Sequence, residues 1–192
     1  MTLLLAGLFI FLGIHFVPSF PGFRDSVVQR IGLNPYRAIY SLIVLTGLFS
    51  MIYGFVLARE EDLFPLYVTP FWLRHLAMTL LLPVFILVFA KFIRGNIAKW
   101  TKDPVILAVK IWAISHLLVN GEPYSVALFG GFLVWAIWAR ISLKKFNRKN
   151  TAVEEFPHAL RNDIISVVLG MLLYGLFVWK LHALLIGMPI LT

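Results

Sequence analysis

Six stretches of this 192-residue chain stay apolar for about 20 residues each, near 2–19, 38–57, 70–91, 104–120, 123–142 and 164–186. In lipid an unpaired backbone N–H or C=O has no water to turn to, so only helices and closed barrels cross a bilayer. The stretches are continuously apolar and lack the alternation of barrel strands. They predict an all-α fold, a polytopic membrane helical bundle of about six transmembrane helices forming one domain over 1–192. Composition agrees: 60% of residues are hydrophobic and 14% charged, and mean hydropathy is +0.89, too little polar surface for a soluble domain of this size to cover itself.

The first stretch resembles a signal peptide in length. It has no basic residue before it and no small-residue cleavage site after Phe16, so we read it as a retained helix. Thr69-Pro70 and Asp103-Pro104 each set a capping side chain before a proline, the pattern of a helix start, and Asn162-Asp163 offers a similar cap to the last span. Pro83 falls inside the third span and predicts a bend there. Gly130-Gly131 reads as a point of close helix packing.

A net charge of +8 would suit nucleic acid, but the basic residues punctuate the apolar spans instead of forming one face, so no nucleic-acid partner is expected. Arg24, Arg30 and Arg37 mark the first connection. Lys91, Arg94, Lys99 and Lys102 mark the third, and Arg140, Lys144, Lys145, Arg148, Lys149 and Arg161 the fifth. The intervening loops carry Arg59 and Arg74 beside Glu60, Glu61 and Asp62, and then Glu122. By the positive-inside rule the basic connections face the cytoplasm, so both termini face outward. Lys110 and Lys180 lie inside spans and are read as snorkelling toward the nearer interface, or as partners of a buried carboxylate.

Four of the five histidines, His15, His75, His116 and His182, lie within the apolar stretches. An ionisable group in a membrane span is a functional candidate, and imidazole is a common axial ligand of haem iron. A rise of about 1.5 Å per residue puts His15 roughly 20 Å below the outer face and His116 roughly 18 Å above the inner face. The two share one level, and we read them as axial ligands of a haem, with interhelical hydrogen bonding as the alternative. His75 and His182 lie toward the outer face and are read as hydrogen-bonding or interfacial groups, or as a second pair. His158, after Pro157, is read as solvated. Cysteine is absent, which excludes disulfides, thiolate ligands and c-type haem attachment. No paired carboxylate within the spans, nucleophile elbow, zinc motif or phosphate loop supports a hydrolase or ATPase. The tryptophans Trp72, Trp100, Trp112, Trp135, Trp138 and Trp179 are expected near interfaces, with the lining of a cofactor or lipid cavity as the alternative.

The opening, His15-Phe16-Val17-Pro18-Ser19 and then Gly32-Leu33-Asn34-Pro35-Tyr36-Arg37-Ala38-Ile39-Tyr40-Ser41-Leu42, resembles that of the NnrU family. Lys110-Ile111-Trp112-Ala113-Ile114-Ser115-His116-Leu117-Leu118-Val119-Asn120-Gly121 resembles its central motif, and Leu181-His182 before Ile186-Gly187 its ending. The resemblance implies a multi-pass protein of the bacterial inner membrane associated with nitrite and nitric oxide reductases in denitrification. Its partners would be the lipid bilayer and that reductase system or a membrane electron donor. The family is similar to the plant 15-cis-zeta-carotene isomerases, which hold haem b in the membrane and whose ligating histidines match His15 and His116. The isomerases carry a cysteine where this chain has Ala113 and a histidine where it has Asp103, so a cysteine-based ligand switch is impossible here. The expected function is haem b binding in support of nitrogen-oxide metabolism, with Arg37 or Lys110 meeting the haem propionates or, alternatively, a headgroup. Rival readings are a haem-dependent isomerase of a polyene and a small-solute transporter. The sequence leaves substrate, electron donor and oligomeric state open.

Overall fold

The computed structural model describes residues 1–147 and 156–190, which form helices and turns without a strand. In chain order the helices are α1 (Thr2–Phe16), a 3-10 turn (Val17–Ser19), α2 (Pro21–Ile31), α3 (Leu33–Arg59), α4 (Trp72–Phe92), α5 (Asn96–Thr101), α6 (Pro104–Leu117), α7 (Pro123–Asn147), α8 (Ala159–Leu176), a π-helical turn (Phe177–Leu181) and α9 (His182–Ile186). Among the described residues five segments are long and apolar enough to cross a membrane: Thr2–Ser19, Leu33–Arg59, Trp72–Phe92, Pro123–Lys144 and Ala159–Ile186. The fourth expected span is shorter than the sequence reading had it. α6 has 14 residues, about 21 Å, against the roughly 30 Å of a hydrocarbon core. Leu118 and Val119 are apolar but lie past its end, in the turn that Asn120 and Gly121 impose.

The described chain divides into two compact units. The first, Met1–Thr69 with His116–Asn150, contains α1, α2, α3 and α7 and takes in the last two residues of α6. α1 and α3 run antiparallel with their backbones touching. A Cβ on Gly7 would meet the Met51 backbone nitrogen, one on Gly47 that of Phe11, and one on Gly54 that of Leu4. Gly47, Met51, Gly54 and Ala58 recur at alternating four- and three-residue steps along α3, and all are buried. A stripe of small residues lets two helices approach until dispersion acts along their whole length, the main attraction available where lipid supplies no hydrophobic drive. Leu4, Leu8 and Leu12 fill the seam beside Met51 and Ala58, and Tyr124, Leu128, Phe132 and Trp135 of α7 pack over it. Gly131 accepts the Leu8 and Leu12 side chains, as expected of a packing glycine. Gly130 has open space beside it, so only one member of that pair packs closely.

The second unit, Pro70–Ser115 with Thr151–Thr192, contains α4, α5, most of α6, α8 and α9. Val84 and Leu87 of α4 are buried against Ala108 of α6, with Ile111 and Trp112 around them. Gly170 of α8 lies against the Ile86 backbone, and the Tyr174 hydroxyl donates to Met78 O (2.8 Å). Pro83 sits inside α4.

The expected helix starts have three different outcomes. Asp103 caps α6, its Oδ1 accepting from Ile106 N–H (3.3 Å). Thr69 does not cap α4, which begins at Trp72 with Phe71 before it and no side-chain cap. Asn162 and Asp163 cap a helix other than their own. α8 starts upstream at Ala159, after His158 in the left-handed region (φ 59°). Asp163 instead accepts from the amides of Asn96 (3.1 Å) and Ile97 (3.0 Å) and from Asn96 Nδ2 (2.9 Å), and Asn162 Nδ2 donates to Arg94 O (2.8 Å). The carboxylate thus satisfies the first turn of α5. Gly95 is required beside it, because a Cβ there would meet Asp163 Oδ1 and the Ala159 carbonyl. Of the basic fifth connection, Arg148 and Lys149 lie outside the described residues.

Candidate functional site

His15 occupies the last turn of α1, half-buried. Its Nδ1–H donates to Phe11 O at 2.6 Å; a carbonyl can only accept, so this bond fixes the tautomer and leaves the lone pair on Nε2. Three aromatic rings wall it. Phe11 lies 4.4 Å away between centroids, Trp135 5.9 Å away and near perpendicular at 86°, and Tyr40 6.2 Å away. The Trp135 indole nitrogen is buried and has no hydrogen-bond partner among the described residues. An indole N–H without an acceptor in an apolar place is unusual, and its ring stands 5.9 Å from that of His15.

His116 ends α6, half-buried, and stacks on Phe129 of α7 (4.4 Å between centroids, 24° between planes). Its carbonyl accepts from the Asn120 amide (2.9 Å) and from Asn120 Nδ2 (2.9 Å), closing the turn into α7. The structure therefore brings both expected ligands of the first pair into one unit and against one helix. They meet α7 at different heights: Phe129 and Trp135 are six residues, about 9 Å, apart along it.

Arg37 belongs to a different feature of the same unit. With Arg24, Tyr36 and Tyr40, and with Pro18, Leu33 and Ser41, it lines an open pocket of about 260 Å³ where the 3-10 turn, α2 and α3 meet. Lys110 lies in the second unit, half-buried in α6.

The other two histidines also fall in the second unit. His75 is exposed in the first turns of α4, edge-on to Phe71 at 5.4 Å, and its carbonyl accepts from the Thr79 hydroxyl (2.9 Å). His182 follows the π-helical turn, and its Nδ1–H donates to Met188 O (2.7 Å). Among the described residues no ring or hydrogen-bond contact joins them; the His182 ring is hydrogen-bonded, whereas the bond at His75 is made by its backbone carbonyl. Among the described residues no cluster of three or more His, Asp or Glu could hold a metal ion. Lys180 lies over the Trp179 ring (5.9 Å), and His158 is exposed.

The chain matches the family model described as NnrU protein over residues 3–190. It belongs to the NnrU family. No curated protein and no solved structure matches it. Membership covers nearly the whole chain, so both units, and the multi-pass helical architecture they share, are NnrU architecture. The residues by which the sequence resembles NnrU are unevenly placed in it. The opening motif spans His15 and the Arg37 pocket, and the central motif runs along α6 to the His116 turn.

Sequence reasoning placed one member of this candidate site loosely and missed another. Trp135 was read as an interfacial aromatic, with the lining of a cofactor or lipid cavity as the alternative. Tyr67 drew no notice, yet its hydroxyl donates to Leu117 O and to Asn120 O (2.9 Å), and Leu66 N–H donates to Gly121 O (2.7 Å), pinning the loop before α4 to the turn that carries His116. The glycine at that turn was a visible signal: a Cβ on Gly121 would meet the Tyr67 carbonyl.

Proposed function

We propose that this NnrU-family membrane protein binds haem b through His15 and His116 and supports the nitrite and nitric oxide reductase system of a bacterial inner membrane. The observation that carries the reading is His15. Its Nδ1–H is committed to a backbone carbonyl at 2.6 Å, the arrangement that orients a ligating imidazole and raises the basicity of the other nitrogen. Phe11, Tyr40 and Trp135 supply an apolar wall on which a flat macrocycle would rest, and the buried Trp135 N–H has no acceptor of its own. His116, held by the Asn120 turn, is the second ligand in this reading.

His15 and His116 are nitrogen donors of the kind such a group takes, and they meet α7 about 9 Å apart along its axis. When bound, a b-type haem supplies one-electron chemistry and a site for a diatomic ligand such as nitric oxide. The chain's part is to hold the imidazole orientation, keep water from the apolar wall, and place the site within the bilayer. It would act as a sensor, redox relay or assembly factor.

Two ties support the topology with both termini outside. In the first unit, Leu66 and Tyr67 bond to residues 117–121, so the α3–α4 loop and the α6–α7 turn lie at one end. In the second unit, Asp163 bonds to Asn96 and Ile97, so the start of α5 and the start of α8 lie at one end. These are the pairs that the charge pattern assigns to the outer and inner faces. α6, although short, returns the chain to the end from which α4 left.

The test is an optical spectrum of the detergent-purified protein, oxidised and dithionite-reduced, with pyridine haemochrome quantification after expression with adequate haem. The expected result is a near-stoichiometric b-type spectrum, abolished in His15→Ala and in His116→Ala and kept in His75→Ala. Folded protein without haem, or equal loss in all three variants, overturns the proposal.

A further inference from the structure

The pocket where the 3-10 turn, α2 and α3 meet carries two arginines, and of its lining the proposed haem site uses Tyr40 alone. Two guanidinium groups line it, Arg24 and Arg37, with the phenols of Tyr36 and Tyr40. Arg24 lies over the Tyr36 ring (5.8 Å) and pairs with Asp25 (2.9 Å), which holds its side chain in place. Arg37 has no carboxylate partner among the described residues and is exposed. The remaining lining is apolar, Pro18 and Leu33, with the small Ser41. The volume, about 260 Å³, falls below the roughly 300–1,000 Å³ of sites that enclose a whole drug-sized ligand. It suits a headgroup and not a macrocycle.

Its position is that of a membrane surface. α2 is an 11-residue helix set between two membrane-spanning helices. It mixes the charged Arg24, Asp25 and Arg30 with exposed Phe23 and Ile31, and exposed Phe20 precedes it. Such a helix lies along the interface, with its rings in the acyl boundary and its cations among the headgroups.

We propose that this pocket binds the phosphate headgroup of an anionic phospholipid. Arg24 and Arg37 take the phosphodiester oxygens through charge-assisted hydrogen bonds, Tyr36 and Tyr40 donate to the headgroup, and Pro18 and Leu33 meet the start of the acyl chains. Because Tyr40 is shared with the His15 wall, a bound headgroup would brace that wall from the outside.

The test uses the full chain in nanodiscs or detergent, with native mass spectrometry and thermal shift against phosphatidylglycerol, phosphatidylcholine and inorganic phosphate. Arg30 is the control, since it carries the same charge on the same helix but does not line the pocket. Phosphatidylglycerol is expected to bind with a stoichiometry near one and to weaken about fivefold or more in Arg24→Gln and in Arg37→Gln, with Arg30→Gln close to the parent. Phosphatidylcholine is expected to bind weakly and inorganic phosphate not to compete at equal concentration. Equal loss in all three arginine variants would mean a diffuse surface field and overturns the site. Full competition by inorganic phosphate overturns the lipid as its source. Haem content is read on the same samples: loss of haem in Arg37→Gln would assign the arginine to a propionate and overturn the lipid assignment, whereas a chain that never binds haem but keeps the lipid profile leaves the pocket standing.

Discussion

Removing the Asp163 carboxylate should release α5 while leaving the rest of the molecule folded. α5 has six residues, too few to persist in water by propensity, because helix nucleation costs more than one turn returns. Its first turn is held by three bonds to one carboxylate: Asn96 N–H at 3.1 Å, Ile97 N–H at 3.0 Å and Asn96 Nδ2 at 2.9 Å. Hydrogen bonds to charged groups contribute about 1.5–3 kcal/mol each. Asp163 is half-buried, so water recovers part of that loss when the side chain is deleted, and Asp163→Ala should cost about 2–4 kcal/mol locally. At 1.4 kcal/mol per decade the amides of Asn96 and Ile97 should exchange about 30- to 1,000-fold faster. Hydrogen exchange with mass spectrometry in detergent micelles reads this directly. Asp163→Asn keeps one acceptor oxygen and should show about half the effect on the energy scale. Gly95→Ala, which drives a methyl into Asp163 Oδ1 and Ala159 O, should reproduce the loss from the other side. Unchanged exchange at residues 96–97 in a folded Asp163→Ala protein would refute the argument that this cap is supplied from α8.

The α1–α3 seam predicts a sharp contrast between glycines: Gly54→Leu forces a side chain into the Leu4 backbone and should cost well over 3 kcal/mol, whereas Gly130→Ala fills open space and should change unfolding in a steric-trapping or SDS titration by less than about 1 kcal/mol. Trp135→Phe deletes a buried donor that lacks a partner, so the haem-free protein should hold or gain about 1 kcal/mol; a clear loss of stability would mean that the indole N–H has an acceptor. Burial first and the Glu122 carboxylate second raise the Tyr67 phenol above its ordinary value of 10. With the folded value above the unfolded one, this contribution is complete below pH 10 and fades as pH climbs through the raised value. Tyr67→Phe should therefore cost about 1 kcal/mol at neutral pH and flatten the alkaline arm of a pH–stability profile, and an unchanged arm would remove Tyr67 as its source.

Local chemistry was enough for much of this molecule. Continuous apolarity over a bilayer thickness leaves a backbone no option but helix, so five of the six expected spans appear within a few residues of their expected places. Asp103 before Pro104 capped its own helix because that signal acts over three residues.

Tertiary structure decided what depends on partners far away in sequence. Asn162 and Asp163 had the composition of a cap, but whose amides they would meet was set by the packing of α8 beside α5, 66 and 67 residues away along the chain. The turn at Asn120 and Gly121 that ends α6 is held by hydrogen bonds from Leu66 and Tyr67, far upstream in the chain. Four histidines looked alike in hydropathy. Only the neighbours that packing brings to each of them separate His15, oriented among three rings beside an unpaired indole, from the exposed His75. A hydropathy pattern fixes where backbone must be helical, whereas the orientation of an imidazole is set by whichever carbonyl and rings reach it.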